Sequence, residues 1–166
     1  MEIRKITEAD SSDLLELLLR LDNETKFMMI EPGEREISPE NMKHLLSDSV
    51  VPTSVFWGAF SEDELVGYVN ACRGNFKRIE HTAYIVIGIL SSSTGQGIGT
   101  LLLKKVEEWA RKYGITRLEL TVMTHNKNAI KLYEKMGFER EGIKKNSMFV
   151  DGNYVDEFYM SRILDE

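Results

Sequence analysis

Three glycines, Gly95, Gly97 and Gly99, stand at alternate positions directly before a run with helical periodicity. Residues 82–90 (TAYIVIGIL), just ahead of them, are mostly β-branched and aromatic and predict a strand buried on both faces. After them, Ile98, Leu101, Leu102, Val106, Trp109, Ala110 and Tyr113 form an apolar stripe of helical period, with Lys104, Lys105, Glu108, Arg111 and Lys112 mostly off it. Such a strand, loop and helix start present unpaired N–H groups where an anion is stabilised. Glycine there permits positive φ and lets a ligand approach the main chain. The chemistry predicted is phosphate binding. A second constellation lies in residues 125–138 (HNKNAIKLYEKMGF), where Asn126, Ala129, Ile130 and Tyr133 follow i, i+3, i+4, i+7 spacing. That spacing puts them on one face of a helix and its entry.

These groups need elements to hold them. Residues 2–7 predict a short strand, and Asp10, Ser11 and Ser12 offer N-cap side chains for a helix over roughly residues 12–21. A polar loop over residues 22–39 carries Pro32, Gly33 and an apolar insert at 27–30 (FMMI). Ser38 is expected to cap a second helix starting at Pro39, with Glu40 in its first turn. Residues 54–60 and 65–73 predict an antiparallel hairpin that residues 82–90 extend. Residues 117–122 (RLELTV) alternate as a strand, and strand–helix–strand makes a right-handed unit whose strands are parallel. A helix over 128–136 ends at Gly137, and Asp151-Gly152 is a hairpin signal between residues 138–150 and 154–164. The expected class is α/β: one domain over residues 1–166, about four helices, and a mixed, mostly antiparallel sheet with a central parallel strand pair. The glycine loop then sits at the C-terminal end of the first parallel strand, where ligands bind in such sheets.

With 166 residues, 42% hydrophobic and 29% charged, the chain is long enough for a real core. No stretch is long and apolar enough to span a bilayer, and no signal-peptide pattern is visible, so a cytoplasmic location and no membrane partner are expected. Cys72 is the sole cysteine, which excludes an intramolecular disulfide and a thiolate metal cluster; no metal is expected. The net charge is −6, and residues 1–50 hold 12 acidic against 6 basic side chains while the remainder holds 15 of each. No basic patch argues for nucleic acid. The acidic N-terminal third suits a cationic small molecule or peptide.

Two phosphate ligands fail on spacing. No Lys-Ser or Lys-Thr follows the glycines, as a P-loop requires, and alternate glycines break the dinucleotide pattern, although Glu119 stands near the acidic position of that fingerprint. GQGIG before a helix, followed by N-x-x-A-x-x-L-Y-x-x-x-G-F, instead resembles the GNAT superfamily of acetyl-CoA-dependent N-acetyltransferases. The likeness is detailed from about residue 54 to the end and extends to layout alone in the first 50. The closing segment is similar to branches that acetylate polyamines, amino acids or ribosomal-protein N-termini.

The resemblance implies a GNAT fold whose parallel pair is splayed to admit acetyl-CoA. Residues 1–53 would be the acceptor-side helices and loop, and residues 54–166 the acetyl-CoA-binding core and C-terminal hairpin. It places the pyrophosphate loop on Thr94, Gly95, Gln96, Gly97, Ile98 and Gly99, running into Thr100. Thr94 departs from the family's Arg or Gln, which removes a side-chain contact but leaves the main-chain cradle. Pantetheine would lie along residues 87–90, here Ile87, Ile89 and Leu90; Asn126 would contact the coenzyme and Ala129 leave room beside it. Acetyl transfer needs a deprotonated amine, a donor to the oxyanion and a proton for the thiolate. Tyr133 matches the family's tyrosine that supplies the last. The family's strand glutamates map onto Tyr84 and Thr121, neither a carboxylate, so the base is left open between His125, Glu80, Glu119 and a water relay. The loop over residues 22–39, with Glu24, Glu31, Glu34 and Glu36 beside Phe27, Met28 and Met29, would meet the amine acceptor, a small molecule or a peptide. A rival class is a non-catalytic acyl-CoA-binding module of the same fold, and a homodimer is compatible with either.

Overall fold

In the computed structural model, which describes residues 1–47 and 53–165, the expected elements form with small changes at their ends. Strand β1 (Glu2–Lys5) leads through a 3₁₀ turn (Glu8–Asp10) into helix α1 (Ser11–Glu24) and, after a long strap, helix α2 (Pro39–Ser47). Strands β2 (Ser54–Ser61), β3 (Glu64–Arg73) and β4 (Thr82–Ile89) precede helix α3 (Ile98–Lys112), and β5 (Arg117–Met123) precedes α4 (Lys127–Lys135). The chain closes with the hairpin β6 (Glu139–Val150) and β7 (Asn153–Ile163). The expected junction between residues 53 and 54 adjoins residues 48–52, which with Glu166 lie outside the described residues.

One sheet of seven strands runs β1-β2-β3-β4-β5-β7-β6. Its single parallel contact is short: Thr82, Ala83 and Tyr84 pair with Arg117, Leu118 and Glu119, and beyond Tyr84 the ladder stops. The meander β2–β3–β4 and the pairs β5–β7 and β6–β7 are antiparallel. The β6–β7 turn takes left-handed angles at Asp151 (φ 50°) and Gly152 (φ 78°), as a two-residue hairpin turn requires. Among the described residues no helix is long and apolar enough to cross a membrane.

Helices cover both faces. A Cβ on Gly88 would lie 2.7 Å from Leu21 of α1, whereas its neighbour Ile89 reaches 3.5 Å from the Cβ position of Gly99 in α3. Successive strand residues point to opposite faces, so α1 and α3 sandwich β4. Two sequence expectations change. Residues 82–90 are not buried on both faces: Tyr84 and Val86 are 40% and 36% exposed, because α1 covers the sheet as far as Gly88 but not the rest of this face. In α3, Leu101 is exposed and Leu103 buried, the reverse of the expected stripe. At 3.6 residues per turn Leu103 lies about 60° from Val106 around the helix and Leu101 about 140°, and Val106 is fully buried.

The N-terminal caps also differ. Strand β1 stops at Lys5, and Asp10 precedes α1 without capping it. Its carboxylate instead accepts from Arg4 at 2.7 and 2.9 Å, from the Thr7 amide at 2.8 Å and from the Thr7 hydroxyl at 3.0 Å. These bonds, the Arg4 ones foremost, hold the Asp10 carboxyl down at about 2, from an ordinary value of 3.8. A carboxyl depressed in the folded state stabilises fully above its unfolded value and loses that contribution as pH falls through its folded value. We therefore expect Asp10 to contribute about 2 kcal/mol at neutral pH, lost between pH 4 and 2. Urea unfolding of Asp10→Asn should match the parent at pH 2 and fall below it at pH 6; equal stability at both would remove this role.

Candidate active site at the strand seam

The loop from β4 to α3 starts with a 3₁₀ turn (Ser91–Ser93) and enters the helix through Gly95 (φ 77°) and Gly97 (φ 79°). A Cβ at either position would meet nothing within 4 Å, so these two glycines serve the left-handed backbone and leave the loop surface bare. Gly99 differs: its Cβ would lie 2.5 Å from Leu132 of α4, so this glycine lets α3 and α4 approach. Among the described residues no group accepts from the amides of residues 95–100; the first bond into the helix is Leu101 N–H to Gly97 O at 3.2 Å. Gly95, Gln96 and Gly97 are exposed, Thr100 is half-buried and Ile98 anchors the helix in the core. Free amides at a helix start are an arrangement suited to an anion. Thr94, in place of a basic or amide side chain, is exposed and donates from its hydroxyl back to Ser91 O at 2.8 Å.

The strand before the loop supplies further main-chain groups. Leu90 N–H donates to Val66 O at 2.9 Å, and its side chain is buried. Alternation along an antiparallel ladder then turns Gly88 and Val86 toward β3, and Ile87 and Ile89 toward β5. Because β5 has departed, the amides and carbonyls of Ile87 and Ile89 face an open seam. Of the three expected strand residues, Ile87 and Ile89 thus offer free main chain and Leu90 does not.

Helix α4 starts opposite the seam. Asn126 precedes it and accepts from the Ala129 amide at 3.4 Å, so its side chain acts as a cap; Ala129 is half-buried. Tyr133 is buried with its ring 5.8 Å from Phe138. Its hydroxyl has no hydrogen-bond partner among the described residues, yet Trp57 Nε1 is the sole fully enclosed side-chain polar atom in that state, so the Tyr133 hydroxyl meets accessible space. Burial pushes its ionisation well above the usual tyrosine range, and the nearby Tyr84 and Tyr68 hydroxyls add to this. The group is a protonated phenol with an uncommitted O–H.

The three side-chain candidates for a base do not converge there. Glu80 sits in the turn ahead of β4, where its carbonyl accepts from Arg73 Nε. His125 is exposed and packs its ring on Phe27, centroids 5.1 Å apart. Glu119 accepts from Arg117 Nε at 2.7 Å, and Arg117 also forks onto both oxygens of Glu141 at 2.8 Å. Arg117 and the Ser161 hydroxyl hold the Glu141 carboxyl down at about 2. The positions matched to missing carboxylates do meet: Tyr84 Oη and Thr121 Oγ1 are 2.9 Å apart across the seam. They border a cleft of about 230 Å³ together with Arg117, Glu119, Leu120, Glu141, Tyr159 and Met160.

The end of α1 and the strap that follows it reach the site from three sides. Glu24 accepts from the Ser91 amide at 2.6 Å, Phe27 meets His125, and Lys26 pairs with Asp151 on the β6–β7 turn. Arg35 grips Asp22 through two bonds of 2.6 and 2.9 Å, with Asp22 1% and Arg35 15% exposed. Tyr68 lies beside this pair and has its hydroxyl pushed up to about 12 by burial. Met28 packs against the core, while Phe27, Met29, Glu31, Glu34 and Glu36 are exposed, so the apolar insert divides between core and wall. Sequence reasoning missed Tyr68, the Glu24–Ser91 link and the Asp22–Arg35 pair. Each joins residues from separate elements or strap ends, and no local pattern announces it.

Comparison with known proteins fits this geometry. Residues 16–138 match the Acetyltransferase (GNAT) family. The chain is 34% identical over 106 residues to an L-amino acid N-acetyltransferase of Escherichia coli, covering 61% of this chain and 64% of that protein. It is 35% identical over 112 residues to an N-alpha-acetyltransferase of Mycobacterium tuberculosis, covering 67% of each. The aligned part of the chain thus spans about two thirds of these relatives. A crystal structure of a GNAT-family acetyltransferase from Streptococcus pneumoniae superposes with a TM-score of 0.94 at 30% identity, covering 99% of both chains.

Proposed function

The chain belongs to the GNAT acetyltransferase family, and from that premise we propose that it transfers an acetyl group from acetyl-CoA to a primary amine of a small molecule or peptide N-terminus by direct attack. The observation that carries this reading is the seam itself. Unpaired main chain at Ile87 and Ile89 leads into a cradle of free amides at residues 95–100, and an uncommitted phenol stands nearby.

Acetyl-CoA would supply the thioester. The amides of Gly95, Gln96, Gly97, Ile98, Gly99 and Thr100 are suited to its pyrophosphate, with Thr94 bracing the loop from behind. Ile87 and Ile89 are suited to the amide-rich pantetheine arm and to donate to the carbonyl oxygen as it gains charge. Leu90 contributes by packing alone. Asn126 holds the start of α4, Ala129 keeps its surface low, and Tyr133 gives its proton to the departing sulfur. Burial keeps that proton on the oxygen in the resting state. In the transfer the N–C bond forms as the C–S bond breaks, and the amine's surplus proton leaves to solvent while Tyr133 regains one.

The acceptor side would be the strap and the cleft beside Tyr84, where the acidic N-terminal third and exposed aromatics suit an amine with some hydrocarbon. Release of free thiol from acetyl-CoA across polyamines, free amino acids, aminoglycosides and peptides tests the reading. One amine class should give release well above the hydrolysis background. Tight acetyl-CoA binding with no release for any amine would instead favour a binding module.

A further inference from the structure

An amine attacks a thioester only through its lone pair, so an ammonium must lose a proton before the bond forms. A base that takes this proton inside the site lets an enzyme use strongly basic amines. The surroundings of Tyr84, where the strands part, show which groups could do so. On β5 stand Glu119, its register partner, and Arg117; β6 contributes Glu141, β7 Tyr159, β3 Cys72 and α4 Tyr133. Both carboxylates are committed to the Arg117 guanidinium, and Glu141 also accepts from Ser161. A carboxylate that must surrender an arginine to take a proton is a poor base. His125 is turned onto Phe27, and Glu80 lies in the turn ahead of the strand. The pair that spans the seam is Tyr84 and Thr121, two hydroxyls 2.9 Å apart.

Building on the acetyltransfer reading, we propose that Tyr84, held by Thr121, accepts the N–H of the acceptor amine where a carboxylate base would otherwise stand. The site is thereby selective for amines that are already free near neutral pH, α-amino groups rather than alkylammonium groups. The amine enters as the free base. As the N–C bond forms and the C–S bond breaks, its surplus proton passes to Tyr84 Oη. The Tyr84 proton moves to Thr121 and the Thr121 proton to water, while the sulfur takes the proton of Tyr133, which is then replaced from water. This relay moves a proton but does not strip an ammonium. An α-amino group titrates near 7.7–8.0 and a lysine amine near 10.4, so their free-base fractions at pH 7.5 differ by roughly 10²-fold or more. Acceptor choice follows from that ratio.

The test compares alanine amide with Nα-acetyl-lysine amide as acceptors, with kcat/KM measured from pH 6 to 10. We expect at least a hundredfold preference for alanine amide at pH 7.5, and an acidic limb that moves with the pKa of each acceptor. Tyr84→Phe should lower kcat/KM for alanine amide at least tenfold while acetyl-CoA affinity stays within about twofold. Tyr84→Glu places a carboxylate at an exposed position. It should raise use of the lysine amine at least tenfold and introduce a limb common to both acceptors. The inference is overturned if the parent shows one acidic limb at the same pH for both acceptors, or if Tyr84→Phe matches the parent. Failure to acetylate either amine at any pH, with acetyl-CoA bound, would instead overturn the acetyltransfer reading on which it rests.

Discussion

Replacing Tyr133 by phenylalanine is expected to lower kcat at least a hundredfold while leaving the acetyl-CoA dissociation constant within about twofold. The substitution removes one oxygen whose hydrogen bonds the fold does not use, since the hydroxyl has no partner among the described residues. The ring keeps its contact with Phe138 at 5.8 Å, so the helix face stays packed. Stability should move by less than about 1 kcal/mol, because losing a hydroxyl that bonds to nothing in the protein strands no buried partner. The loss should fall on kcat, because in the proposed reaction the proton is needed only as the sulfur leaves. Single-turnover thiol release with saturating acetyl-CoA and acceptor separates these effects. The ionisation of Tyr133 lies above the usual tyrosine range, so the parent should show no basic limb from this group below about pH 10. Turnover unchanged in Tyr133→Phe would assign the proton to another donor.

Arg35→Met is expected to cost about 3–5 kcal/mol of folding stability, the range for removing one partner of a buried ion pair. Asp22 is almost fully enclosed and its two carboxylate oxygens each take one bond from Arg35. With the guanidinium gone, a carboxylate stays in a place where water cannot reach it. The double variant Asp22→Leu with Arg35→Met should recover most of the loss, because an apolar pair of similar volume has no charge to desolvate. Urea denaturation of the two singles and the double measures the coupling directly. A cost under 1 kcal/mol for Arg35→Met would show that the pair is open to solvent. Function should suffer too, because Arg35 ties the strap to α1 beside Tyr68, whose ring lies against Gly88 of β4. The expected sign is a higher KM for the acceptor than for acetyl-CoA.

Much of the site was legible because it is written in local spacing. The left-handed angles at Gly95 and Gly97 follow from glycine before a helix, and the shared face of Asn126, Ala129, Ile130 and Tyr133 follows from helical period. The strand order of the meander and the right-handed crossover were likewise predictable from short connections. Residues 82–90 read as doubly buried because nearly every side chain there is apolar, and composition alone cannot say how far α1 extends over them. Gly99 reads like its two neighbours in the motif, yet its bare face serves Leu132, a residue from another helix.

The kind of fold, the family, and the place of the glycine loop and of the helix motif after it can all be read from the residues alone. Each depends on backbone periodicity and on residue types within a few positions of one another, where geometry is nearly independent of context. Tertiary structure alone decided which carboxylates are free. Arg117 gathers Glu119 and Glu141, Arg35 gathers Asp22, and Tyr84 meets Thr121 across 37 residues of chain. Such pairings depend on strand register and helix placement, which the whole core sets at once, and a shift of one residue in register would turn each of the strand side chains among them to the other face.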